Sequence, residues 1–321
     1  VRRGKTLVLA VLLVLLGAYV YFFELSKDDQ GKSEKLLKFK DDEVAGIALV
    51  YPQREIQLQK DAQGKWKLTQ PLAATADDST VRTVIGALSA ADIKRTLEKK
   101  PGAEDLKSFG LAPPAVKVSL TLKNGLTLPT LTVGAKTPVG DSTYVQRGGE
   151  PAVYLTGGAL ALVLEKQPND LRDRAILAFP YDQVTRLQIK TPEQSLVLVK
   201  DAKEQWAMEA PVKKPAKAEA VAGYLAALAQ LRAKTFVDDQ PRELKKYGLE
   251  RPGVEIALDG KDGKDVKNLA TLHIGNKSGE TYYARSESNP TVYAIDERFY
   301  KLLRKQPADF AAEEKKPEPK K

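Results

Sequence analysis

Residues 66–71 read WKLTQP and residues 206–211 read WAMEAP. In both, apolar positions alternate after an indole, as in a half-buried strand, and a proline then closes the stretch because it cannot donate to a ladder. The two stretches lie 140 positions apart, and the same spacing holds on their N-terminal side. VAGI at 44–47 answers VTRL at 184–187, and Lys60-Asp61-Ala62 answers Lys200-Asp201-Ala202. Further on the offset changes by one or two residues. Phe109-Gly110-Leu111 answers Tyr247-Gly248-Leu249, Pro114 answers Pro252, Tyr144 answers Tyr282, and LTVG at 131–134 answers LHIG at 272–275. Lys166-Gln167-Pro168 answers Lys305-Gln306-Pro307, and Asp170 answers Asp309. A period this long means two tandem domains, because solenoid repeats run about 20–50 residues.

Within each copy the elements follow one plan. Residues 44–50 and 56–60 alternate, and Gln63-Gly64 turns the chain into Trp66, which predicts an antiparallel meander. Asp77 or Asp78 can cap a helix whose apolar residues Val81, Val84, Ile85 and Leu88 fall three and four apart. Val221, Tyr224, Leu225, Leu228 and Leu231 repeat that spacing. Residues 104–109 and 242–247 read as short helices closed by Gly110 and Gly248. Asn124-Gly125 between residues 115–122 and 126–133 is a hairpin signal. Strands at 143–146 and 152–155 and a helix at 158–166 complete the unit. The expected domains are 44–177 and 181–312, each α+β and mainly antiparallel, and residues 313–321 (EEKKPEPKK) have the composition of a disordered tail.

The N-terminus is of another kind. Thr6 to Phe23 carries no charge, with Leu7, Leu12 and Leu16 along it and Tyr19, Phe22 and Phe23 at its far end. Eighteen residues span about 27 Å as a helix, close to the hydrocarbon thickness of about 30 Å, and aromatic rings favour the headgroup layer. The stretch is longer than a signal-peptide core, and YFFELSKDD offers no small-x-small cleavage site. It is read as an uncleaved transmembrane anchor, with residues 1–5 (VRRGK) cytoplasmic, 24–43 a charged spacer, and the bulk of the chain periplasmic. Lysines also follow the span, so the orientation rests on the tight basic cluster before it and on the insensitivity of large domains to the charge rule.

Composition removes many function classes. The net charge of +9 is concentrated, with Lys and Arg outnumbering Asp and Glu by 8 to 4 over residues 1–40 and by only 17 to 16 over 41–180. Nucleic-acid binding calls for cations massed on a folded face, so no nucleic-acid partner is expected. The chain has no cysteine and one histidine, His273, which excludes thiol nucleophiles, thiolate metal sites and any site with two imidazoles. No catalytic group, cofactor or metal is assigned. The VGAKT and IGNKS segments at 133–137 and 274–278 share glycine, lysine and hydroxyl with a phosphate loop, but the lysine is out of place and the first glycine is missing. Asp77-Asp78 and Asp238-Asp239 do not correspond between copies and read as caps and solvated pairs. Trp66 and Trp206 offer flat apolar faces to a glycan or lipid, against the simpler reading of core packing. Arg172, Asp173 and Arg174 form a charged cluster that reads as a solvated or interdomain ion pair, with a partner contact as the alternative.

The ordered set of Trp strand, [FY]-G-L-x-x-P, Leu-x-[VI]-Gly turn and Tyr strands, present twice over about residues 40–312, resembles a domain-of-unknown-function family of membrane-anchored bacterial envelope proteins. Members are often encoded beside gliding-motility-type (Gld) ABC transporter components. The resemblance implies a transporter-associated envelope protein and brings no catalytic residue with it. The function expected is a non-enzymatic, membrane-anchored accessory or scaffold protein of the bacterial inner membrane that contacts an envelope partner. The alternative is a periplasmic module binding glycan, peptide or lipid in an interdomain cleft.

Overall fold

The alternating residues of VAGIALVY form β1 (Val44–Tyr51), which buries Ile47, Leu49 and Tyr51 and turns their neighbours outward. The computed structural model describes residues 34–262 and 265–312, and the chain divides between Asp173 and Arg174 into two units. In the first, β1 leads to β2 (Arg54–Lys60), β3 (Trp66–Gln70), β4 (Ala74–Thr75), α1 (Asp78–Ala90), β5 (Arg95–Glu98) and α2 (Ala103–Ser108). Then follow β6 (Val116–Leu122), β7 (Leu131–Lys136), β8 (Ser142–Arg147), β9 (Val153–Gly157) and α3 (Ala159–Leu164). The strands make one sheet of nine in the order β4-β3-β2-β1-β6-β7-β8-β9-β5. Every neighbouring pair is antiparallel.

The second unit repeats this plan with β10 (Val184–Lys190), β11 (Ser195–Lys200), β12 (Trp206–Ala210), β13 (Lys214–Pro215), α4 (Ala218–Ala229) and β14 (Thr235–Asp238). It continues through β15 (Val254–Asp262), β16 (Asp265–Ser278), β17 (Thr281–Ser286), β18 (Val292–Asp296), α5 (Glu297–Leu303) and α6 (Pro307–Phe310). Its sheet order, β13-β12-β11-β10-β15-β16-β17-β18-β14, is the same. Each unit has its own core cluster.

The expected architecture, a transmembrane helix followed by α+β domains, is corrected: the described chain is dominated by two antiparallel nine-stranded sheets, and its helices are few and short. The helix expected at 158–166 contracts to α3, and that at 242–247 to a single 3-10 turn, Lys245–Tyr247, ended by Gly248 at φ 69°. Among the described residues no helix is long and apolar enough to cross a membrane. Residues 1–33, which include Leu7, Leu12, Leu16, Tyr19, Phe22 and Phe23, lie outside the described residues, as does the tail 313–321. The Asn124-Gly125 turn forms, with the Leu126 amide donating to Asn124 Oδ1 at 3.0 Å. Its second arm does not run through to residue 133 as one strand, because Pro129 interrupts it and β7 starts at Leu131. Without such a proline, β16 continues for 14 residues.

Helix α1 forms where the apolar spacing predicts it. Asp77 caps it by accepting the Thr80 amide at 2.7 Å, and Val81, Val84, Ile85 and Leu88 are buried. Because β4 and β5 are opposite edges of the sheet, α1 carries the chain from one edge to the other. Both of its ends are clasped. Residues 34–36 pair with 91–93, through Leu36 N–H to Ala91 O and Ile93 N–H to Glu34 O, each 2.8 Å. Residues 171–173 pair with 75–77, through Asp77 N–H to Leu171 O at 2.8 Å and Asp173 N–H to Thr75 O at 2.9 Å. Part of the segment read as a charged spacer is therefore folded, with Leu36 fully buried and Leu37 nearly so.

The second unit uses the same device. Ala233 N–H donates to Arg174 O and Lys217 N–H to Phe310 O, both at 2.8 Å, and Ile176 and Leu177 are buried where Leu36 and Leu37 stand in the first. The repeat thus begins ten residues before Val44. Register moves one correspondence as well. Leu131 and Leu272 face Arg147 and Ser286, respectively, so Tyr144 answers Tyr283 and not Tyr282. Packing agrees, since Tyr144 lies against Phe109 and Tyr283 against Tyr247.

Arg147 fastens the N-terminal strap of the first unit. It holds Glu34 at 3.1 Å, Glu150 at 2.7 Å and the Leu36 carbonyl at 3.4 Å. Its hydrogen bond, together with one from Tyr154, keeps the Glu150 carboxyl below its ordinary range. Such a lowered group contributes stability that is complete above the ordinary carboxylate value of 4.5 and fades as pH falls through the lowered value.

Two outcomes follow. Leu36→Ala lowers the unfolding free energy by about 2–4 kcal/mol in urea titration, as for a core leucine, whereas Leu126→Ala on the exposed turn changes it little. Arg147→Gln is destabilising at pH 7, and its difference from wild type shrinks as the pH falls below the ordinary glutamate range.

Candidate functional site

Matched positions are apolar in the separate cores of the two units, and the units differ at matched surface positions. The clearest difference lies on the outward face of the β2-β1-β6 ladder. Gly46 pairs with Gln59 and Thr121 there, and Arg186 takes the same place opposite Val199 and Asp259. In the second unit the Arg186 guanidinium reaches Glu209 at 3.8 Å and Asp259 at 3.7 Å, and these carboxylates stand where the first unit has Thr69 and Thr121. Without that side chain the first unit has a recess of about 450 Å³, lined by Gly46, Gln57, Gln59, Thr69, Ser119 and Thr121 among others. A Cβ at Gly46 would meet nothing closer than Thr121 Cβ at 3.4 Å. Its polar side chains are amides and hydroxyls together with the ammonium of Lys123, among apolar neighbours, and some are already engaged: Thr69 donates to the Gln57 carbonyl at 3.2 Å, and Ser119 bonds Thr130 at 3.1 Å.

A second opening of about 410 Å³ lies between the end of β1, the start of β6, β7 and α3. Tyr51 anchors its wall by donating to the Leu164 carbonyl at 2.6 Å, and burial is the main cause that pushes its phenol above the usual range. The Arg54 guanidinium lies 3.9 Å from the Tyr51 ring centroid and donates twice to the Lys166 carbonyl, at 2.9 and 3.2 Å. In the second unit Gln194 makes the corresponding tie, to the Lys305 carbonyl at 3.4 Å.

The residues singled out from the sequence fall elsewhere. Trp66 is 3% exposed and Trp206 8%, both within the cores. Their faces are covered by packing, so the stacking role weighed for them is replaced by a core role. Lys60 and Lys200 lie over the two rings at 5.0 and 5.8 Å. Arg172 is 5% exposed and donates to Asn169 at 3.1 Å in the first unit. Arg174 is exposed and donates to the Lys234 carbonyl at 2.8 Å in the second. The cluster read as one thus belongs to two units.

The phosphate-loop-like segments lie on strands β7 and β16. A Cβ at Gly134 would run into the Phe109 carbonyl, and one at Gly275 into the Tyr247 carbonyl, so the recurring glycine permits close backbone approach. Asp238 accepts the Tyr247 hydroxyl at 2.7 Å and Asp239 that of Thr291 at 3.1 Å. His273 faces Glu255 and Arg285 across the ladder. No cluster of three or more metal-ligating side chains occurs among the described residues. Sequence reasoning missed both openings. Their signal was present in the repeat itself, at the positions where one copy has a small residue and the other a large or charged one.

Exchange of the small and charged residues gives a direct check on this pairing. Gly46→Arg folds with unfolding free energy within about 1 kcal/mol of wild type, because its backbone lies in a strand and a Cβ there makes no contact shorter than 3.4 Å. Arg186→Gly leaves Glu209 and Asp259 without their shared cation, and a crystal structure of that variant shows a recess matching the one at Gly46.

A family model described as Domain of unknown function (DUF4340) matches the chain twice, at residues 66–214 and 206–315. The chain belongs to this family. Both matches begin at the strand tryptophan, so the matched window starts inside one folded unit and the first match ends inside the next. No curated protein matches, and no solved structure does.

Proposed function

Starting from that membership, we propose that the chain is a non-enzymatic accessory protein of the bacterial envelope. It is held at the inner membrane with its two units on the extracytoplasmic side, and its first unit receives a protein partner. The observation that carries this reading is the asymmetry between the copies: the first unit keeps two recesses where the second places its own side chains. Amide, hydroxyl and apolar linings bind a surface by shape and hydrogen bonding. The localisation draws on the sequence of residues 1–23, with Arg2, Arg3 and Lys5 before an uncharged stretch of eighteen. The ABC transporter as partner system draws on the family resemblance alone. Tethering gives such a contact its strength, because partners confined to one membrane meet at high effective concentration.

The amide and hydroxyl side chains lining the recess at Gly46 favour a second reading, a glycan-binding module. An added pentasaccharide that protected this face and left no protein adduct in cells would replace the first reading with the second.

Matched photo-cross-linking positions test the first reading. A benzoylphenylalanine at Thr69 or Leu162 gives protein adducts in intact cells at native expression, and the same probe at the matched Glu209 or Lys301 gives few or none. Absence of adducts from every position, or turnover of a substrate by the purified chain, contradicts it.

A further inference from the structure

The second unit carries larger side chains at positions matched to the opening beside Tyr51. Register equates Lys136 with Lys277 and Thr143 with Tyr282, since each lysine faces its partner across the ladder. The Lys-Gln-Pro that follows both α3 and α5 equates Gly158 with Glu297 and Ala161 with Tyr300. In the second unit the Tyr300 ring stacks on Tyr282 with centroids 3.7 Å apart and planes 6° from parallel. The Lys277 ammonium lies 5.8 Å from the Tyr282 centroid and 3.0 Å from Glu297. A ring and a carboxylate thus engage this lysine, which stays about half exposed.

The first unit lacks all three groups. Thr143, Ala161 and Gly158 stand for Tyr282, Tyr300 and Glu297, yet the lysine is retained as Lys136. Of these positions Ala161 and Lys136 line the opening of about 410 Å³, with Val116, Val133 and Leu164 in its wall, Leu162 58% exposed at its edge, and Arg54, Lys136 and Glu165 as its charged residues. Lys136 has no ion pair among the described residues. Gly158 carries no side chain, and the place that one would take is occupied by the Asp141 carboxyl group.

We propose that this groove receives a segment of a partner protein that carries an aromatic residue close to an acidic one. The ring enters the space that Tyr300 fills in the second unit, and the carboxylate reaches Lys136. This rests on the partner-binding reading above and names the chemistry of the occupant. The volume lies within the range of ligand sites, about 300–1,000 Å³, and the excess of cations at the rim favours an anionic group.

The test is a nuclear magnetic resonance titration of the full chain with a capped peptide carrying Glu and Tyr three residues apart, the spacing of Glu297 and Tyr300. Saturable shifts are expected at the amides of Ala135, Lys136, Ala161 and Leu162. Ala161→Tyr, which refills the groove as the second unit does, weakens binding by about tenfold or more. Lys136→Gln weakens it by a factor that disappears when the peptide's Glu is replaced by Gln, and Lys277→Gln leaves it unchanged. Replacing the peptide's Tyr by Ala abolishes the shifts, which keeps the test decisive if Ala161→Tyr does not fold. No shifts at millimolar peptide, or binding that ignores Ala161→Tyr and the peptide's Tyr, overturns the proposal. That result with cross-links at Leu162 intact would leave the partner-binding reading standing and reject only this occupant.

Discussion

The fold depends on one crossing. Strands β4 and β5 follow each other in the chain and stand at opposite edges of the sheet, so α1 must pass over the face between them with its apolar stripe turned inward. A flat sheet of nine strands would be about 38 Å wide, and a 13-residue helix is about 20 Å long. One core cluster nonetheless draws on Trp66 and Leu68 from one side of the sheet and Val145 from the other, which the twist and coiling of a large antiparallel sheet permit. The chain then closes the arrangement with its own ends. Residues 34–36 cover the stretch leading into β5, and residues 171–173 cover the stretch leaving β4. These contacts occupy backbone groups that would otherwise be unpaired at the edges. The second unit repeats both clasps.

Much of this was legible from the repeat, for a physical reason. The punctuating residues have conformational duties that few other residues can perform, so they persist in both copies. Gly110 and Gly248 sit at φ 65° and 69°, and Gly134 and Gly275 stand where a Cβ would strike a carbonyl. Glu204, which replaces Gly64, keeps the left-handed conformation at φ 61°, at a cost of about 1 kcal/mol for a non-glycine residue. The strands were legible from period-two alternation, and α1 and α4 from three-and-four spacing. The short edge strands β4, β5, β13 and β14 were not, because two to four residues carry no period. The straps were missed because KLLKF reads as a spacer when only its lysines are weighed. Leu36 and Leu37 decide its fate, and they are matched by Ile176 and Leu177.

The candidate site was not legible as a motif. Each opening exists through side chains that are absent: Gly46 where Arg186 stands, and Ala161 where Tyr300 stands. A search for chemistry-bearing residues passes over such positions. Comparison of the two copies finds them, because the second unit acts as a filled reference for the first. The conspicuous residues Trp66, Trp206 and Arg172 serve the interior, as large apolar and well-bonded groups usually do. Duplication relieves one copy of a constraint that the other still meets, and here the relieved surface lies on the first unit. The proposed partner contact rests on that asymmetry.

Hydrogen exchange on the full chain, resolved by residue, addresses the clasped unit most directly. If each unit is closed by its own ends, the amides of Leu36, Ile93, Asp77 and Asp173 exchange in the same slow class as the central strand amides of β1 and β6. Exchange of Leu36 and Asp173 at the rate of an unprotected chain, with β1 still protected, would show that the ends lie free and that the unit is not built as described.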